Sequence, residues 1–316
     1  MSTHVLAVDI GGTKTAATIV DSESRVIDKV EAPTPGAHGP DAVIETVAQV
    51  AGEAARRAGI PEVQAVGIAA AGVVDSTTGT ILSATETLAD WAGTPVAARV
   101  RSQLGSLMAP SGPIVVVNDV DAHAVGEHRF GAAVGSASAL VVAVGTGIGA
   151  GIILDGRVWR GARHVAGEFA HVPVPGTCTL RCPCGRLGHL EAIGSGVGMH
   201  RLYLAIGGRD DVRSARTLAR LAAEGDDTAQ RAIAESAAAV GRAIAGAVSL
   251  IDPECVVITG GVPAIGDLWW RPMREQFLTE AIDVLQEVPI LPGTLGDHAP
   301  LRGVGALAWD QLGECS

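Results

Sequence analysis

The chain carries one short pattern twice, and no other feature limits its fold as strongly. From Ala7 to Asp21 a Gly-Gly-Thr turn at 11–13 sits between two apolar runs, and from Val141 to Asp155 a Gly-Thr-Gly turn at 145–147 does the same. Laid over each other without gaps, the two stretches share Val8/Val142, Gly11/Gly145, Ala16/Ala150, Ile19/Ile153 and Asp21/Asp155. Each reads as strand, tight turn, strand. A turn lacking Cβ atoms lets backbone N–H groups converge on an anion, so each hairpin is a candidate phosphate cradle. Two cradles in one chain point to two lobes gripping one polyphosphate, and hence to a nucleotide. A lone glycine hairpin is more often structural than functional, and neither stretch is a P-loop or a dinucleotide fingerprint. Asp9 shifts that balance. A carboxylate beside a phosphate loop is out of place without a cation, and Mg²⁺ binds nucleotide phosphates through one or two carboxylates plus water.

Bulk properties narrow the class. A length of 316 residues exceeds one small core and suits two lobes. An apolar content of 47% with only 3% aromatic residues indicates a close-packed α/β protein. The net charge of −11 argues against a nucleic-acid partner or an anionic membrane surface. It leaves ATP open, since a nucleotide needs only local positive potential. The short apolar stretch before Asp9 is not expected to act as a secretory signal. The uncharged run 131–154 is long enough to span a bilayer, but its Gly, Ser and Thr content reads as a buried hairpin. The expected location is the cytoplasm, where five cysteines do not make a disulfide framework. Cys255 precedes the apolar run 256–258 and reads as core, Cys315 lies in the tail, and Cys178, Cys182 and Cys184 cluster as metal ligands do.

Between these landmarks the pattern alternates helix and strand. A helix spans 41–59, started by Pro40 and Asp41 and stopped by Gly59 and Pro61. A strand over Val63–Ala70 leads to a turn at 71–75 that includes Gly72, and a second helix covers 95–105. The short strand 113–117 ends at Asn118-Asp119, and a helix follows over 120–131. Residues 161–195 form a loop-rich insert, 211–252 an alanine-rich helical stretch, and 256–259 a strand running into Gly260-Gly261. A short apolar helix at 303–309 is free to pack back on the first lobe. The expected division is a small N-terminal α/β lobe over 1–117, joined by a C-terminal helix at 303–316. A large α/β lobe over 118–302 would hold the insert.

Two constellations carry chemistry. Asn118-Asp119 lies at the carboxyl end of a buried strand, where open α/β sheets place ligand-binding residues. An Asp there can take the proton of a substrate hydroxyl as its oxygen attacks a γ-phosphoryl group; the bland alternative is a helix N-cap, which both residue types favour. In the insert, Cys182-x-Cys184 with His189 beyond and His171 before supplies four N/S ligands, the closed set of a tetrahedral structural zinc. Cys178 is a possible substitute ligand. Glu168 and Glu191 flank the set, and carboxylates held rigid by a metal loop suit neighbouring sugar hydroxyls.

The set Asp9-Ile-Gly-Gly-Thr-Lys14, Asn118-Asp119, Gly145-Thr-Gly147, Gly167-Glu168…His171, Cys182-x-Cys184-Gly-x-x-Gly-x-x-Glu191 and Gly260-Gly261 resembles the ROK family of sugar kinases and repressors nearly end to end. The resemblance implies an actin-like, ribonuclease-H-like α/β ATPase fold with sugar and ATP in a cleft between two lobes. It makes Asp119 the general base, and Asn118, Glu168, His171 and Glu191 sugar contacts; Gly72 is added to that set. Asp9 and Lys14, with Gly11, Gly12, Thr13, Gly145, Thr146 and Gly147, would serve the phosphates and Mg²⁺, and Gly260 and Gly261 the adenosine. It also implies zinc at His171 and a homodimer.

Two positions depart from the family pattern. His189 stands where a third Cys is usual, which leaves a Cys₂His₂ zinc set. Glucose-type members often carry Asn-Leu before the Trp of the substrate loop, and here Thr87-Leu88-Ala89-Asp90-Trp91 appears, so one hydroxyl contact is expected to differ. The leading expectation is an ATP-dependent hexose kinase making glucose 6-phosphate, with an N-acetylhexosamine kinase or fructokinase as the rival. A sugar-responsive repressor fits less well, because only eight residues precede Asp9 and the chain is acidic. A non-catalytic sugar-binding scaffold would not need Asp9, Asn118, Asp119 and both cradles together.

Overall fold

The computed structural model describes residues 3–314 except 86, 176, 178 and 213; Cys178 and Cys315 therefore lie outside the described residues. The chain divides into two compact units. The first comprises residues up to Gly135, Gly151–Ala166 and Leu295 onward, and the second Ser136–Ala150 and Gly167–Thr294.

In the first unit, strand β1 (Val5–Ile10) turns into β2 (Lys14–Val20) and β3 (Val26–Pro33), and helix α1 (Gly39–Ala58) follows. Then come β4 (Ala65–Ala70), the β5–β6 ribbon (Val73–Asp75 and Thr80–Ser83), α2 (Val96–Leu104), β7 (Ile114–Asn118) and α3 (Asp119–Phe130). The sheet order is β3-β2-β1-β4-β7, antiparallel through β1–β2–β3 and parallel through β1–β4–β7. Strand β1 is buried on both faces. Leu6, Val8 and Ile10 join Val43, Val47, Val50 and Ala54 of α1 in one core, while Ala7 joins Ala69, Val117, Leu301 and Val304 in another. A strand covered on both sides shows a continuous apolar run instead of alternation. Helix α1 has Pro at its start and Gly59 in the left-handed conformation at its end, as its punctuation indicates.

The remaining elements are β8 (Ala139–Val144), β9 (Ile148–Leu154), β10 (Arg157–Val158), α4 (Glu191–Gly194), α5 (Gly196–Ala205), α6 (Ala215–Ala223) and α7 (Asp227–Ile251). After them come β11 (Cys255–Thr259), α8 (Asp267–Glu280), β12 (Ile290–Pro292) and α9 (Ala299–Glu314). The second sheet runs β10-β9-β8-β11-β12, with β8–β11–β12 parallel. The uncharged run 131–154 thus holds the β8–β9 hairpin. Helix α7 is long and apolar enough to cross a membrane by length and composition, yet it packs against α5, α6 and α8.

Three elements differ from the sequence reading. Residues 118–135 stay with the first unit because α3 packs on α9 so closely that glycines are required. A Cβ at Gly126 would overlap the Ala299 carbonyl, and one at Gly303 the Ala122 carbonyl. The closing helix is longer than 303–309, since this packing runs along most of its length. The helical stretch 211–252 is two helices, because Asp226 accepts from the Ala229 N–H at 2.8 Å and starts α7 afresh.

Candidate active site

Parallel neighbours share a direction, so β1, β4 and β7 end at one edge of their sheet. The register Asp9↔Ala69 and Ala70↔Asn118 brings Asp9, the Ala71–Gly72 turn and Asn118-Asp119 to that edge. Asn118 is the N-cap of α3: its Oδ1 accepts from the N–H groups of Val120 at 2.8 Å and Asp121 at 3.2 Å, and its Nδ2 donates to the Gly72 carbonyl at 2.9 Å. The capping role left open by the sequence therefore falls to Asn118. Asp119 stands in the first turn of α3, where the helix dipole favours an anion, and its Oδ1 accepts from Val120 N–H at 3.0 Å.

Asp9 is electrostatically costly. Burial, and after it the negative charge of Asp119, raises its carboxyl from an ordinary 3.8 to about 7, against the pull of Lys14 and Lys29. Lys14 pairs with Glu31 at 2.9 Å and with Asp297 at 3.5 Å. The turn between them is braced from the side: Thr34 donates its N–H to the Thr13 carbonyl at 3.0 Å and its hydroxyl to Gly11 at 2.8 Å. The Thr87 methyl lies against Gly12. The buried Trp91 donates its indole N–H to the Ala71 carbonyl at 3.0 Å, tying the 87–91 loop to the Gly72 turn.

The second unit repeats this logic. The parallel register Thr259↔Ala143 places Gly145–Gly147 and Gly260–Gly261 at one sheet edge. Gly196 donates to the Gly145 carbonyl at 2.8 Å, and Val262 to the Val144 carbonyl at 3.0 Å. Glu191 accepts from the Ile148 N–H at 2.7 Å, so this candidate sugar ligand also braces the second glycine turn. Burial raises its carboxyl above the usual range.

In the insert, the ligand atoms of His171, Cys182, Cys184 and His189 all lie within 4.8 Å of one another. His171 Nδ1 is 3.7 Å from Cys182 Sγ, and His189 Nδ1 is 3.3 Å from Cys184 Sγ. Gly185, at φ 86°, lets the chain double back so that Cys182 can accept from Gly185 N–H at 2.9 Å. Two imidazoles and two thiols at this separation suit a tetrahedral ion with bonds of about 2.0–2.3 Å. The other ring nitrogen of His171, Nε2, faces Glu168 Oε2 at 3.5 Å. A carboxylate on the far nitrogen of a metal-binding imidazole fixes the ring's tautomer and orientation.

The candidates therefore assemble on two units: Asp9, Gly11–Lys14, Gly72, Asn118 and Asp119 on the first, and Gly145–Gly147, Glu168, His171, Glu191 and Gly260–Gly261 on the second. Sequence reasoning did not single out Asp297, or the pairs His164–Asp75 at 3.6 Å and Arg160–Asp121 at 3.3 Å. No local signal marks them, because their meaning lies in tertiary contacts.

The raised Asp9 carboxyl makes stability depend on pH. The folded protein holds this proton more tightly than the unfolded chain, so the group's contribution falls as pH rises from about 4 to about 7 and is flat above. Asp9→Asn removes the ionisation cost. The variant should exceed wild type in magnesium-free buffer at pH 8 by on the order of 1–4 kcal/mol, and the gain should vanish near pH 4. Urea unfolding at the two pH values measures it, and a gain independent of pH would refute the assignment.

The ROK family model matches residues 5–311. The glucokinase of Streptomyces coelicolor is 33% identical over 96% of this chain and 96% of its own length. The N-acetylmannosamine kinase of Salmonella typhi is 33% identical over 81% of this chain and 82% of its own. Among solved structures, a ROK family glucokinase from Streptomyces griseus in complex with glucose and AMPPNP is similar with a TM-score of 0.81 and 33% identity, covering 97% of this chain and 99% of that one. The architecture is the actin-like α/β fold of these sugar kinases, and the chain belongs to the ROK family.

Proposed function

We propose that this protein is an ATP-dependent hexose kinase that converts glucose to glucose 6-phosphate in the cytoplasm, as a homodimer. The observation that carries the reading is Asp119 at the start of α3 beside Asp9, whose own carboxyl is raised to about 7 by burial and then by the charge of Asp119. One carboxylate serves a proton transfer, and the other is placed for a cation. Asp119 takes the proton of the sugar C6 hydroxyl as its oxygen forms a bond to the γ-phosphorus, and the bond from phosphorus to ADP breaks. The backbone N–H groups at Gly11–Thr13 and Gly145–Gly147 hold the phosphates, and Lys14 adds positive charge. Magnesium, held by Asp9, would neutralise phosphate charge. Gly260 and Gly261 border the adenosine. Glu168, His171 and Glu191 orient the sugar, and Asn118 and Gly72 are further sugar contacts.

A structural zinc at His171, Cys182, Cys184 and His189 belongs to this reading. Its ligand set supports it, and so does the composition of the insert, which offers little apolar surface to offset its ordering entropy. Bound there, the metal supplies a rigid closure that sets His171 and hence Glu168. A second substrate reading, an N-acetylhexosamine, is favoured by the likeness to an N-acetylmannosamine kinase, while Thr87, where glucose-type members carry Asn, changes one hydroxyl contact expected for glucose.

Asp119→Asn should cut kcat by about 10²–10⁴-fold while the sugar Kd stays near wild type. Turnover within a few fold of wild type would remove Asp119 from the base role. Protein purified without chelator should carry about one zinc per chain. Stripping the zinc should raise the sugar KM and leave the ATP KM in place, whereas full sugar affinity without metal would contradict the role given to the insert.

A further inference from the structure

The chain passes between the two units four times, after Gly135, Ala150, Ala166 and Thr294. Two of those crossings meet at one side chain. Glu127 of α3 is fully buried. Its Oε2 accepts from the Ala132 N–H at 2.9 Å, three residues before the first crossing, and its Oε1 accepts from the Leu295 N–H at 3.0 Å, at the last. Its backbone carbonyl accepts from Gly131 and Ala133 N–H groups, each at 3.0 Å. His123, one turn earlier, donates to the Gly296 carbonyl, and Asp297 pairs with Lys14 of the first glycine turn.

A buried carboxylate is expensive, and its cost is offset here by two backbone donors from segments far apart in sequence. Alanine or leucine would fill the space at less cost if packing were the only need. The donors sit where the chain leaves and re-enters the unit that holds the base. Helix α3 carries both groups on one rigid rod, with Glu127 about 12 Å along from Asp119 at 1.5 Å per residue.

We propose that Glu127 is a positioning residue for phosphoryl transfer: it clamps both crossing segments to the helix that carries Asp119, and so holds the base in place. This inference rests on the kinase reading above. Its physical core, a shared clamp on residues 132 and 295, stands apart from that reading and is tested separately.

Glu127→Gln keeps the volume but turns an amide NH₂ toward one of the two donors. Glu127→Asp keeps the charge but is too short to span both. In amide hydrogen exchange on the unliganded wild type, the Ala132 and Leu295 amides should open together, and in Glu127→Gln both should exchange at least about tenfold faster. In steady-state kinetics with glucose and MgATP, Glu127→Gln should lower kcat about tenfold or more per folded molecule, with both KM values within about threefold of wild type; Glu127→Asp should fall between. A merely structural residue would lower the unfolding midpoint and leave kcat per folded molecule unchanged, which would overturn the proposal. Independent opening of the two amides in wild type would also overturn it, whether or not either variant folds. A wild type that exchanges as expected but phosphorylates no hexose would count against the kinase reading and leave the clamp standing.

Discussion

Two carboxylates held close, one of them, Asp9, poorly solvated, are the constraint on which the rest of the first unit turns. Asp9 lies on β1 and Asp119 directly follows β7, two strands that are adjacent neither in sequence nor in the sheet, with β4 between them. Parallel strand direction alone delivers both to one edge. Held there, Asp9 ionises only near neutrality, because burial and Asp119 both resist its charge. Keeping both makes sense for a site that receives a cation with its phosphates and also needs a base.

The second unit solves a different problem with the same topology. Its parallel β8–β11 pair brings two glycine turns to one edge. Its insert offers little apolar material and brings four soft and borderline ligands together. Glu191 joins the two devices, since it braces the Ile148 N–H two residues beyond a candidate zinc ligand, His189. His171 does the same on the other side, with one nitrogen toward the cysteines and the other toward Glu168.

Much of this was legible in the residues and some of it was not, for physical reasons. The glycine hairpins could be read because a turn without Cβ atoms has few sequence solutions, and α1 because Pro and Gly mark its ends. Asn118 and Asp119 could be located but not told apart, since capping and proton transfer draw on the same side-chain chemistry; only the hydrogen bonds to Val120, Asp121 and Gly72 separate them. The unit boundary near 118 could not be read, because what keeps α3 with the first unit is glycine-mediated contact with α9, more than 170 residues downstream. Glu127 and Asp297 were invisible for the same reason. A buried carboxylate on a helix has the sequence signature of any surface acid.

The central claim is that these two carboxylates and two glycine turns serve phosphoryl transfer from ATP to a hexose. The most direct measurement is ADP release with identification of the phosphorylated product over glucose, mannose, fructose, N-acetylglucosamine and N-acetylmannosamine at saturating MgATP. The account predicts sugar-dependent ADP release with the highest kcat/KM for glucose and phosphate on its C6 oxygen. ADP release that no hexose stimulates would contradict the kinase assignment, and a higher kcat/KM for an N-acetylated sugar would contradict glucose as the substrate.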